Sequence, residues 1–237
     1  MKTKQKPIIG VLGGMGPQAS AYFYQLLIEK SIRDFGAQNN DDFPEIVLDS
    51  VPVPDFIGDT KNLIPAKNVL FDRLSRLNTF GIDVICMPCN TAHLLYEELR
   101  MKSSAPFISM VKAVDIAVIE GSYHRTGLLS STVTRDKKIY AGVTQKTTLV
   151  TVSNKEQVVI EQVIRGILAG RDISELQKKI EDLSNRFVKR ERLDSIILGC
   201  TELPLIFPKK FRVPAINSLE VLAQETLQCA FQNRSAI

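Results

Sequence analysis

The sequence predicts an α/β protein of two similar three-layer lobes, each with a short parallel sheet, related by pseudo-symmetry across a cleft. Three observations carry this. Apolar strand-like runs alternate with helix-like stretches along the chain, the rhythm of parallel sheets joined by crossover helices. The order helix, apolar strand, cysteine turn, helix, Pro-led strand occurs twice. The cysteines at the two turns, Cys89 and Cys200, stand about half the chain apart in look-alike surroundings.

In the first half, residues 7–12 read as a strand, followed by a glycine turn over residues 13–17. A helix follows over 18–33, with Tyr22, Leu26 and Leu27 at helical spacing. Residues 45–50 are a strand. Residues 67–80 are a helix with Val69, Leu70, Leu74 and Leu77 on one face. Residues 83–87 form the strand before Cys89, a helix starts near Thr91, and 106–110 is a short strand. The second half opens at 125–132, a strand and a turn of small residues. It continues with a strand at 147–153, a helix at 156–169 ending at Gly170, a natural C′ position, and a long amphipathic helix at 173–190. Strands at 194–198 and 213–217 and a helix at 218–231 close it. The repeat assigns residues 1–104 plus 216–237 to a first lobe carrying Cys89, and 105–215 to a second carrying Cys200.

Bulk composition narrows the function. A hydrophobic share of 44% with 24% charged residues is that of an ordinary globular protein, long enough at 237 residues for one large domain or two small ones. The net charge of +4 is mild, and no basic run with interleaved aromatics points to nucleic acid. No apolar run approaches the ~18 residues a membrane span needs. The basic opening, MKTKQKP, lacks the apolar core of a signal peptide. Four cysteines in such a chain read as thiols of a cytoplasmic protein, not as a disulfide frame.

Each cysteine turn reads as an apolar, β-branched run, then Pro or Gly, then Cys, then small polar residues opening a helical pattern: GIDVICMPCNTAH over 81–93 and LDSIILGCTELP over 193–204. A thiol at a strand-to-helix turn is expected to have a lowered pKa, because backbone N–H groups and the helix dipole favour the thiolate. Two such thiols facing one pocket suit proton removal from one side of a carbon and return from the other. The alternative is two small buried hydrophobes. Cys86 and Cys89 form a C-x-x-C, but Cys86 falls within the strand run and reads as core. His93, Cys200 and distant His124 are poor partners for a zinc site. The glycine turn at 13–16 is neither a dinucleotide fingerprint nor a Walker loop; it suits a tight turn, or backbone approaching a small anion. Asn90, Thr91 and Thr201 beside the thiols suit helix capping or holding an α-carboxylate, and Ser131 and Thr132 are candidates for the same task. His93 supports the thiolate or packs and caps. Glu202 caps its helix or binds a substrate amine.

Three runs, IGVLGGMGP over 9–17, MPCNTAH over 87–93 and GCTE over 199–202, together resemble the aspartate/glutamate racemase family, in register over nearly the whole chain. The resemblance implies two pseudo-symmetric α/β domains, an amino-acid substrate between them, often a homodimer, and neither pyridoxal phosphate nor metal. It implies that Cys89 and Cys200 are the catalytic pair, that Asn90 and Thr91 bind carboxylate, and that Met15 borders the pocket. Two positions depart from the pattern. Phe56, in VPDF at 53–56, stands where aspartate-specific members carry an arginine, and Leu168, in IRGILAG at 164–170, replaces a lysine. Arg165 lies three positions from the latter. The expectation is therefore a cofactor-independent amino-acid racemase, with aspartate or glutamate as the family substrate and a neutral or broader range as the alternative. A related isomerase or decarboxylase of small diacids, and a non-catalytic binder of small acids, are the other readings.

Overall fold

The computed structural model describes residues 6–142 and 147–232; the basic opening of residues 1–5 lies outside them. β1 (Ile8–Gly13) is apolar and buried over most of its length, as a strand covered on both faces requires. It pairs in parallel with β2 (Glu45–Ser50) and β3 (Val84–Cys86), and β4 (Phe107–Ile108) lies beyond β3. The second sheet repeats this arrangement. β5 (Arg125–Ser130) lies between β6 (Thr148–Thr151) and β7 (Ser195–Gly199), with β8 (Ala215–Asn217) outside β7. The orders β2-β1-β3-β4 and β6-β5-β7-β8 are the pseudo-symmetric pair the internal repeat predicts. In each sheet the chain leaves the first strand for one side and returns on the other. Such a switch point opens a crevice at the strands' carboxyl ends, and both cysteine turns lie at these ends.

Helices bury both faces of each sheet. α1 (Pro17–Phe35) and α8 (Ser218–Gln232) bring Phe23, Leu27, Leu219 and Leu222 onto Ile9, Val11 and Val84. α2 (Leu63–Leu77) and α3 (Tyr96–Lys102) bring Leu70, Leu74 and Leu99 to the opposite face, against Leu12 and Ile85. In the second lobe α6 (Asn154–Leu168) and α7 (Ile173–Glu191) pack Ile160, Ile164, Ile180 and Phe187 on Leu129, Ile196 and Leu198. Val114 and Val118 of α4 (Met110–Glu120), with Tyr140, cover Leu128, Ile197 and Ile216 on the other face. α5 (Thr132–Asp136) is a short helix after β5.

The lobes exchange helices. α4 follows a strand of the first sheet and packs on the second; α8 follows a strand of the second and packs on the first. The two lie side by side. This moves the expected boundaries. The cut at 104/105 falls before β4, which pairs with β3 in the first sheet, and the cut at 215/216 runs through β8, which pairs with β7.

Two local expectations also shift. The strand at 106–110 shrinks to β4, and Met110 instead opens α4, which the sequence reading passes over. Its β-branched content hides the helical period, but Ser109 caps it by accepting a hydrogen bond from the Lys112 N–H at 3.3 Å. The helix expected at Thr91 begins as a 3-10 turn, Thr91–Leu95, before α3. Gly170 does follow α6 in the left-handed region, at φ 65°. Gly14 is required where it stands: φ is 91°, and a Cβ would lie 2.2 Å from the Val51 nitrogen. Among the described residues no helix is long and apolar enough to cross a membrane.

Candidate active site

Segments from both lobes line one cavity of about 170 Å³. The turn after β1 contributes Gly14, Met15 and Gly16; the turn after β3 contributes Cys89, Asn90 and Thr91. The turn after β7 adds Cys200, Thr201 and Glu202, residues 53–57 form one wall, and Leu168 closes the end of α6. Phe56 and Leu168 are thus both on the cavity. Both thiols line it, and the charge of Cys89 adds to the rise in the pKa of Cys200.

The two thiols differ in their surroundings. Burial pushes Cys89 up to about 12; the backbone N–H groups of Ala92 and Thr91 pull the other way, and the charge of Glu202 adds to the rise. The expectation of lowered pKa values at the turns is therefore corrected: donors do face Cys89, but loss of water outweighs them. Burial also raises Cys200, and Glu202 raises it further by charge and by accepting its proton: the Cys200 thiol donates to Glu202 Oε2 at 3.0 Å. Glu202 does not cap its turn. It takes a second bond on Oε2 from the Thr201 hydroxyl at 3.1 Å, and its Oε1 accepts the Gly16 N–H at 3.1 Å, joining the β1 turn to Cys200.

Asn90 makes no capping bond either. Its amide belongs to a chain of donors whose direction is fixed. The Ser218 hydroxyl gives its single proton to the Leu198 carbonyl at 2.8 Å, so its oxygen must accept from Asn90 Nδ2, at 3.2 Å. Asn90 therefore turns Oδ1 to Tyr140, whose phenol donates to it. Burial raises the phenol's pKa, and the charges of Cys200 and Cys89 raise it further, so it stays a donor. The second N–H of Nδ2 has no partner in this chain of bonds, and Asn90 lines the cavity. The brace spans the lobes, from the Cys89 turn to the strand that leads into Cys200. Nothing in the sequence singled out Tyr140 or Ser218: neither lies in a motif, and only the fold brings them to Asn90.

Three candidates fall behind the cavity or beside it. His93 is buried beneath the Cys89 turn, where Nδ1–H donates to the Cys89 carbonyl at 2.8 Å and Nε2 accepts the Met110 N–H at 2.9 Å. Burial lowers its pKa to about 4, so it is neutral and structural, the packing role among its two expected ones. Ser131 caps α5 and bonds the Thr91 hydroxyl at 2.9 Å, so it holds Thr91 and does not line the cavity. Thr132 donates its hydroxyl to Glu161 Oε2 at 3.0 Å and lines a neighbouring hollow with Arg165. Arg165 does not reach the cavity: it pairs with Asp55 at 2.7 Å and lies 3.4 Å from Glu161. Cys86 lies in β3 with its thiol toward the Gly10 carbonyl at 3.7 Å, a core position away from Cys89's cavity.

Comparison with known proteins identifies the family and supports the fold. The sequence profile of the Asp/Glu/Hydantoin racemase family matches residues 12–226. A broad-specificity amino-acid racemase of Bacillus subtilis is 27% identical over 222 residues, spanning 93% of this chain and 96% of that protein. The structure of an aspartate racemase from Picrophilus torridus superposes with a TM-score of 0.83 at 28% identity, over 95% of this chain and 94% of that one. An aspartate racemase homologue from Pyrococcus horikoshii shares the fold, with a TM-score of 0.79 at 23% identity over 96% of this chain and 99% of that one. With the family's profile matching over most of its length and the paired sheets of its structural relatives, the chain belongs to the Asp/Glu/Hydantoin racemase family.

Proposed function

We propose that the protein racemises free amino acids by passing the Cα proton between Cys89 and Cys200. The observation that carries this reading is the pair of thiols, one from each sheet's switch point, on a single cavity. A cavity near 150 Å³ holds benzene, so about 170 Å³ suits a small free amino acid. One thiolate takes the Cα proton, and the electron pair moves toward the α-carboxylate. The opposite thiol then gives its proton to the other face, and the two cysteines end with exchanged protonation. The second N–H of Asn90 Nδ2 stabilises charge growing on the carboxylate.

The raised thiols set the energetics. With Cys89 near 12, forming its thiolate at about pH 8 costs about 5 kcal/mol. A substrate ammonium ~4 Å away, at an effective dielectric of ~20, returns about 4 kcal/mol. The base is thus generated when substrate binds. Cys89, with two N–H donors, better supports an anion; Cys200, bonded to Glu202, holds its proton. Cys89 is therefore the thiol deprotonated first when substrate binds. We further propose a cytoplasmic homodimer, as the resemblance implies. Free cysteines suit a reducing compartment, and Tyr24 and Ile32, exposed on α1 at 46% and 53%, suit an interface.

The test is turnover in deuterated water, followed by chiral chromatography and mass analysis. Product should carry deuterium at Cα, and Cys89→Ala and Cys200→Ala should each abolish racemisation with circular dichroism unchanged. A fully active single variant would sink the two-base reading.

A further inference from the structure

We infer that the substrate's side chain is uncharged and apolar, and that Phe56 and Leu168 reject aspartate and glutamate; this rests on the racemase reading above. No lysine, arginine or histidine lines the cavity among the described residues. Its two charged groups are the carboxylates of Asp55 and Glu202, and the wall beyond the thiols is built from Val53, Phe56, Ile57 and Leu168. An amino acid with a neutral side chain brings one carboxylate and one ammonium. Aspartate brings a second carboxylate into a site that already holds two, with no cation to receive it. A carboxylate buried without a partner carries a heavy desolvation cost.

The nearest cation is committed elsewhere. Arg165 lies one helical turn from Leu168, but its guanidinium faces Asp55 at 2.7 Å and Glu161 at 3.4 Å, outside the cavity. Glu161 Oε1 is already buried without a hydrogen-bond partner. The Arg165 guanidinium lies with these carboxylates and outside the cavity, so no cation stands at position 56 or 168. Leu168 packs against the glycine turn: its Cδ2 lies 2.6 Å from where a Cβ on Gly16 would stand. Phe56 is buried, 3% exposed, within the first lobe's core. The wall is therefore apolar, and a Met- or Leu-like side chain lies against it.

The experiment follows loss of the Cα–H proton signal in deuterated water for methionine, leucine, alanine, aspartate and glutamate, with thermal shifts measured on the same samples. Methionine or leucine should exchange with kcat/KM on the order of 100-fold above aspartate. Leu168→Lys should move the aspartate-to-methionine ratio at least about tenfold toward aspartate. Exchange of aspartate as fast as methionine in the native protein overturns the inference. Thermal stabilisation by methionine and not by aspartate, without exchange of either, supports the side-chain inference and sinks the two-base reading alone. Neither exchange nor a methionine-specific shift overturns both.

Discussion

Acid should loosen this protein through His93 as pH falls below about 6.5. The side chain is held neutral between the Cys89 carbonyl and the Met110 N–H, and its pKa falls from the ordinary 6.5 to about 4 because it is buried. In the unfolded chain the imidazole takes up a proton near 6.5, while the folded protein resists until about 4. Stability from this group is thus full above 6.5 and is lost as pH falls toward 4, about 3 kcal/mol in all and about 2 kcal/mol of it by pH 5. Urea unfolding at pH 7.5, 6 and 5 measures this directly. In His93→Gln, which keeps a polar group at the site without the titration, the loss over the same range should shrink by about 2 kcal/mol. Parallel pH curves for the two proteins would refute the neutral-brace argument. The same neutrality predicts no kinetic limb near 6.5 that His93→Gln abolishes.

Two further outcomes follow from the site. Tyr140→Phe leaves Asn90 Oδ1 buried without its donor, a loss of about 1–3 kcal/mol; kcat/KM should fall about tenfold, and a double-variant cycle should show the effect vanish in an Asn90→Ala background. Equal losses in both backgrounds would break the link between the phenol and the amide. Alkylation of Cys89 by iodoacetamide, read by mass spectrometry, should rise about tenfold per pH unit from 7 to 10 without a plateau, since its thiol is pushed up to about 12. A plateau below pH 9 would mean that the Ala92 and Thr91 N–H groups outweigh burial.

Much of the fold was legible because it is periodic. The strands before Cys89 and Cys200 announce themselves as apolar runs, and the duplicated order of elements foretells two sheets of identical topology. What escaped depends on contacts between distant segments. α4 carries a strand-like composition, and its helical state is fixed by the Ser109 cap and by burial against the other lobe's sheet. The cysteine neighbours do line the cavity, yet the sequence did not reveal their partners: Asn90 binds Tyr140 and Ser218, which lie 50 and 128 positions away. The thiol pKa values failed for a similar reason. Local sequence displays the N–H groups of a turn, whereas the depth of burial that opposes them is a property of the assembled lobes.

The exchange of α4 and α8 gives the molecule a hinge and a latch. The chain crosses between lobes at 109–110 and again at 217–218, and Ser218, at the second crossing, carries the hydroxyl of the Asn90 brace. Both tethers and the brace bind the lobes together through α4, α8 and the Cys89 turn. Asp55 and Arg165 join the segment after β2 to α6 of the other lobe, and this ion pair is 53% and 43% exposed. An exposed pair contributes about 0.2–1 kcal/mol. The same segment is held by the Ile57 carbonyl, which accepts the Val133 N–H at 3.1 Å, so parting the rim breaks one backbone bond and one exposed ion pair while the Asn90 brace still holds the turns carrying the two thiols.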